Sequence, residues 1–116
     1  MKSLASITDK DIETIKMALN DSISDINVEL KNTKSIMKKD NLLQYKGKYT
    51  RVLEKLRQNP SIYALLETDL DLAATGLNDA IELLEEFMTD DLTDQERNDF
   101  VNYKADCQRL IEILSR

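Results

Sequence analysis

The chain has 116 residues, 41% apolar and 33% charged, with two glycines, one proline, one cysteine, no histidine and a net charge of −6. That length supports one hydrophobic core over residues 1–116, the apolar content is too high for a disordered chain, and no apolar run nears the ~20 residues of a membrane helix. The missing histidine excludes Ser–His and Cys–His nucleophile pairs and the Glu-x-x-His pairs of di-iron bundles, and a lone Cys107 excludes an intramolecular disulfide.

The opening MKSLASITDKD has no signal-peptide hydrophobic region, because acids arrive by Asp9, so a cytoplasmic protein is expected. Thr8 is placed to cap a first helix, with Asp9 and Asp11 in its first turn. Its apolar stripe runs Ile12, Ile15, Leu19, Ile23, Ile26, Leu30, Thr33, Met37, and from Leu19 the steps alternate four and three, the spacing of a coiled-coil seam. This predicts a helix over 9–39, roughly 45 Å long.

Asp40 and Asn41 are then read as the end of that helix and the cap of the next, over 41–58, with a stripe of Leu42, Tyr45, Tyr49, Val52 and Leu56. Gly47 weakens it by about 1 kcal/mol relative to alanine. Asn59-Pro60 marks the stop and suits the start of a third helix over 60–88. That helix carries Ile62, Leu66, Leu70, Ala73, Leu77, Ala80, Leu84 and Phe87, and its small residues Ala73, Gly76 and Ala80 form a patch that a neighbour could approach closely. Thr93 and Glu96 are spaced as a capping box for a fourth helix over 94–115, whose seam is Phe100, Tyr103, Cys107, Leu110, Ile111 and Leu114.

Four stripes joined by short turns predict an all-α, four-helix antiparallel up-down bundle with coiled-coil-like packing. The first and third helices are expected to be long, leaving roughly 10–15 Å of seam without an intrachain partner. Such an overhang favours a homo-oligomer. Val28, Ile36, Leu43, Leu72, Leu83, Val101 and Ile113 fall off the seams, and some of them are expected to face outward.

Charge divides along the chain. Residues 31–57 hold Lys31, Lys34, Lys38, Lys39, Lys46, Lys48, Arg51, Lys55 and Arg57 against Asp40 and Glu54, a net of +7. Residues 67–99 hold twelve acids and Arg97, a net of −11. Lys31, Lys34, Lys38, Lys39, Lys46, Lys48, Arg51 and Lys55, interleaved with Tyr45 and Tyr49, are candidates for binding a protein partner or nucleic acid. An acidic net charge argues against a dedicated nucleic-acid binder, and the two tyrosines also fit the core seam. The acidic stretch serves solubility or presents carboxylates to a basic partner.

Glu82 and Glu85 form an ExxE, and Glu96 and Asp99 an ExxD, on either side of a short turn. Four converging carboxylates would suit Mg²⁺, which prefers oxygen ligands. The order ExxE then ExxD resembles the metal-binding pattern of the all-α NTP pyrophosphohydrolases, over about 18 residues of this chain. The resemblance implies that these carboxylates hold Mg²⁺ and that water attacks a nucleotide phosphate. No lysine or asparagine group nearby is placed to hold a triphosphate, and Glu96 and Asp99 are equally explained by helix capping and the helix N-terminus. The expectation is therefore a non-enzymatic, cofactor-free interaction module: a small regulator, adaptor, inhibitor or assembly chaperone. The Asn-, Lys-, Asp- and Ile-rich composition suits the product of an AT-rich genome such as a phage or mobile element.

Overall fold

The computed structural model describes residues 4–115. After a short 3₁₀ turn at Leu4–Ser6 come α1 (Asp9–Asn32), α2 (Ile36–Gln58), a second 3₁₀ turn at Ile62–Ala64, α3 (Glu67–Glu86) and α4 (Asp94–Leu114). Among the described residues there is no strand, and the protein is an all-α helical bundle.

Two of the predicted caps form as read. The Thr8 hydroxyl accepts from the Asp11 amide at 3.1 Å while the Asp11 carboxylate accepts from the Thr8 amide at 3.0 Å. The Thr93 hydroxyl and the Glu96 carboxylate make the same exchange at 3.1 and 3.0 Å. Each pair satisfies amides that have no partner within the helix.

Two boundaries differ from expectation. The first helix ends at Asn32, well short of residue 39, and the second starts at Ile36. Hydroxyl side chains make the break: Thr33 Oγ1 accepts from the Ser35 amide at 3.3 Å, and Ser35 Oγ accepts from the Lys38 amide at 3.2 Å. Side chains of this kind offer the backbone an alternative to the helical ladder. Asp40 and Asn41, read as the junction, lie inside α2. The third helix starts at Glu67 because Ser61 turns the chain first, its hydroxyl accepting from the Tyr63 amide. Asp69 then accepts from the Leu66 amide at 3.0 Å and caps α3. The helices therefore have 24, 23, 20 and 21 residues, and the expected pair of long helices with overhanging ends is not present.

Side-chain pairs fix the directions. Lys55 of α2 meets Asp69 of α3, and Tyr49 meets Asp79, so α2 and α3 are antiparallel. Lys104 of α4 meets Glu85 of α3, and Arg109 meets Asp11 of α1. Leu53 and Arg57 lie beside Lys10, Glu13 and Met17, which makes α1 and α2 antiparallel. The bundle runs up, down, up, down, but its cross-section is a rhombus. The parallel pair α1 and α3 forms the short diagonal, with α2 closely packed on α1 and α4 on α3. Extents of 43 × 37 × 24 Å reflect that flattening.

Small residues permit the diagonal. Ala18 and Ser22 on α1 and Ala73, Gly76 and Ala80 on α3 are all buried. The Ser22 hydroxyl donates to the Gly76 carbonyl at 3.0 Å, and a Cβ on Gly76 would lie 2.8 Å from Leu19 Cδ2. The predicted small-residue patch is thus a site of close helix approach, and α3 runs through Gly76 without interruption. The core around it includes Ile15, Leu19, Tyr49, Val52, Leu56, Leu77, Leu110 and Leu114.

Candidate interaction surface

The two halves of α2 are built differently. From Tyr49 onward it buries Tyr49, Val52, Leu53 and Leu56, while residues 36–48 include no buried position. Ile36, Met37, Leu43 and Tyr45 are 77, 78, 53 and 46% exposed. Tyr45 belongs to the same seam as Tyr49, so the seam continues beyond the part that α3 covers.

Beneath this uncovered half lies a cleft of about 370 Å³ between α1, α2 and α3. Ile26, Leu42, Tyr45 and Leu83 contribute apolar surface to it, and five carboxylates line it: Asp25 and Glu29 from α1, Asp79, Glu82 and Glu86 from α3. Tyr49 closes the inner end, its hydroxyl donating to Asp79 Oδ2 at 2.7 Å. Burial pushes the Asp79 carboxyl up; the Tyr49 hydrogen bond partly offsets this, and the neighbouring Glu82 and Asp25 add to it. Burial beside Asp79 raises Tyr49 too, so it stays protonated and remains a donor.

The basic residues of 31–57 fall into two groups. Lys55 is half-buried and paired with Asp69, and Arg57 pairs with Glu54 at 2.6 Å. Lys31, Lys34, Lys38, Lys39, Lys48 and Arg51 are exposed and Lys46 is half-buried. Lys48 Nζ stands 5.6 Å from the Tyr45 ring centroid, a cation–π contact at the edge of the cleft. A basic helix wall thus borders a carboxylate-lined cleft.

The four candidate metal carboxylates are engaged separately. Glu82 accepts from Asn78 at 3.3 Å, Glu85 pairs with Lys104 at 2.8 Å, Glu96 belongs to the Thr93 cap, and Asp99 accepts from Gln95 at 2.8 Å. Among the described residues no three His, Cys, Asp or Glu side chains are grouped to hold a metal ion. Of the off-seam apolar residues, Val28, Ile36, Leu43 and Val101 are exposed, Leu72 and Leu83 are half-buried, and Ile113 is buried. Cys107 is fully buried, and burial pushes its thiol up to about 11. That holds it in the unreactive protonated form.

Sequence reasoning missed the contribution of α1 to the cleft. The signal was present as two columns at helical spacing, Asp25–Glu29 and Asp79–Glu82–Glu86, each flanking an apolar seam. Joining them requires knowing that α1 and α3 lie side by side and parallel, a pairing that chain order does not suggest.

No family model matches the chain, and no curated protein or solved structure matches it. No helix among the described residues is long and apolar enough to cross a membrane.

Proposed function

We propose that the chain is a non-catalytic protein-interaction module, acting as a small regulator, adaptor, inhibitor or assembly chaperone through the first half of α2 and the cleft beside it. One observation carries this reading: a 13-residue helical segment, 36–48, in which only Leu42 packs, half-buried, against the core while Ile36, Met37, Leu43 and Tyr45 are displayed. A helix gains most of its stability by packing an apolar face. A half-helix with such a face uncovered fits a surface that a partner completes.

Two other readings draw less support. Nucleic-acid binding through 31–57 would use the exposed lysines, but the carboxylates of α3 stand beside them and would repel phosphate. A Mg²⁺-dependent nucleotide hydrolase would need Glu82, Glu85, Glu96 and Asp99 to converge, and each has a different partner.

The test is site-specific photo-crosslinking in the cell that makes the protein. A photoreactive side chain at Leu43 is expected to give a discrete protein adduct, with none from Gln108 on exposed α4 surface. The Leu43 adduct is expected to disappear when Ile36→Asp is added. Equal labelling from both positions, or no adduct from Leu43, would remove the basis for the proposal.

A further inference from the structure

The groove between α2 and α3 carries opposite charge on its two sides. The first half of α2 contributes Lys38, Lys39, Lys46 and Lys48 against Asp40. The second half of α3 contributes Asp79, Glu82 and Glu86 to the lining, with Asp25 and Glu29 of α1 beside them, while Glu85 faces Lys104 of α4. Between them lies apolar surface from Ile26, Leu42, Tyr45 and Leu83.

We infer that a second copy of this chain covers the groove, with the basic half of α2 in each copy lying over the acidic half of α3 in the other. This rests on the interaction-module reading and names the partner. Charge decides among occupants. A uniformly acidic helix would be repelled by the five carboxylates from α1 and α3, and a uniformly basic helix, drawn to them, would meet the exposed lysines of α2 at the rim. A surface bearing both signs side by side matches both walls, and a two-fold axis supplies one by making every contact twice. Like charges set face to face across an interface cost several kcal/mol, so the pattern also specifies the orientation.

Apolar placement agrees. Met37 and Tyr45 are exposed on α2, and Phe87 is 66% exposed at the end of α3. These residues lie at the groove end of the molecule, where the intrachain packing of α2 on α3 has stopped. The opposite end, closed by Lys55–Asp69 and Arg109–Asp11, also carries exposed apolar residues, Tyr63 and Leu66. Its depression of about 440 Å³ between α1 and α2, however, mixes Lys10, Lys16 and Arg57 with Glu13 and has no acidic wall. Covering the apolar surface would remove it from water, and the charged walls would set the register.

Sedimentation equilibrium over a range of concentrations provides the test. The wild-type chain is expected to show a reversible monomer–dimer equilibrium that weakens as salt is raised. Lys48→Glu and Glu82→Lys, each alone, are expected to weaken the dimer by about tenfold or more, equivalent to at least ~1.4 kcal/mol. The doubly substituted chain, and an equimolar mixture of the two single variants, should recover it. Helical circular dichroism of each variant separates loss of association from loss of fold. A single-chain mass at every concentration up to about 1 mM, where only associations weaker than ~4 kcal/mol would escape notice, overturns the inference. So does a dimer indifferent to both reversals, or a charge swap that fails to restore association. A monomeric chain that still gives a Leu43 crosslink to a different protein overturns the second copy and leaves the interaction-module reading standing.

Discussion

The two ends of this bundle use the same residue types for opposite purposes. At the closed end, acids are buried against bases: Asp69 with Lys55 and the Leu66 amide, Asp11 with Arg109 and the Thr8 amide. At the open end the acids line a cleft with no base bonded to them among the described residues, and most of the lysines stand exposed on the adjoining helix wall. A buried carboxylate is tolerated only when its lone pairs are met. The closed end meets them internally, whereas the open end leaves them to solvent or to an incoming surface. Charge thus helps hold the fold at one end and stays open to solvent at the other.

The largest break in that contrast should come from Asp69→Ala. It removes the cap of α3 and leaves Lys55 half-buried without its acceptor. A cap is worth about 0.5–2 kcal/mol, and the ion pair adds a share reduced by the partial exposure of Lys55. A loss of about 2–3 kcal/mol is expected in urea unfolding. A change under about 0.5 kcal/mol would mean that the closed end does not hold the bundle together.

Gly76→Ala ranks next. Alanine gains about 1 kcal/mol of helix propensity, but its Cβ would press on Leu19, which is fully buried, and overpacking costs about 1–3 kcal/mol. A net loss of about 1 kcal/mol is expected. The same substitution at Gly47, where a Cβ would meet nothing within 4 Å, should instead raise stability by about 0.5–1 kcal/mol. If both changes stabilise, the α1–α3 diagonal is looser than its geometry implies.

Acid should act on the two ends with opposite sign. Burial works against ionised Asp11 and Asp69, but their hydrogen bonds from Arg109 and Thr8, and from Lys55 and Leu66, outweigh it and hold both below the ordinary 3.8. Folding therefore favours their charged forms. That stabilisation is complete above 3.8 and is lost as pH falls through the lower folded values. Asp21 and Asp79 are raised by burial, so the folded protein takes up their protons before the unfolded chain does. Stability should rise slightly on mild acidification and fall below 3.8, and Asp79→Asn should reduce the rise in a series of urea titrations, leaving the share that belongs to Asp21. The smallest stability effect belongs to Leu43→Ser, within about 0.5 kcal/mol, because the side chain is more than half exposed.

Much of the fold was legible because its signals are local. The Thr8 and Thr93 caps, the seams of α1 and α4, and the small-residue patch on α3 follow from residues within a few turns of one another. The break at Thr33–Ser35 was not, because the apolar period runs on through Met37 and neither glycine nor proline interrupts it. Each of the two hydroxyl–amide bonds that make it is worth about 1 kcal/mol, too little to read against an unbroken stripe. Unequal helices were the sequence argument for self-association. With nearly equal helices the argument shifts to α2, whose seam extends past its cover on α3. The cleft was illegible because its walls come from helices that are not neighbours in the chain.

The Asp11–Arg109 bond spans 98 positions of sequence. A ribosome adds only about 5–20 residues each second, so Asp11 waits several seconds for its guanidinium. Throughout that interval the face of α1 that α4 will occupy stays wet. In the nascent chain that face of α1 therefore goes without its cover until α4 docks, with the Asp11 carboxylate set at its edge.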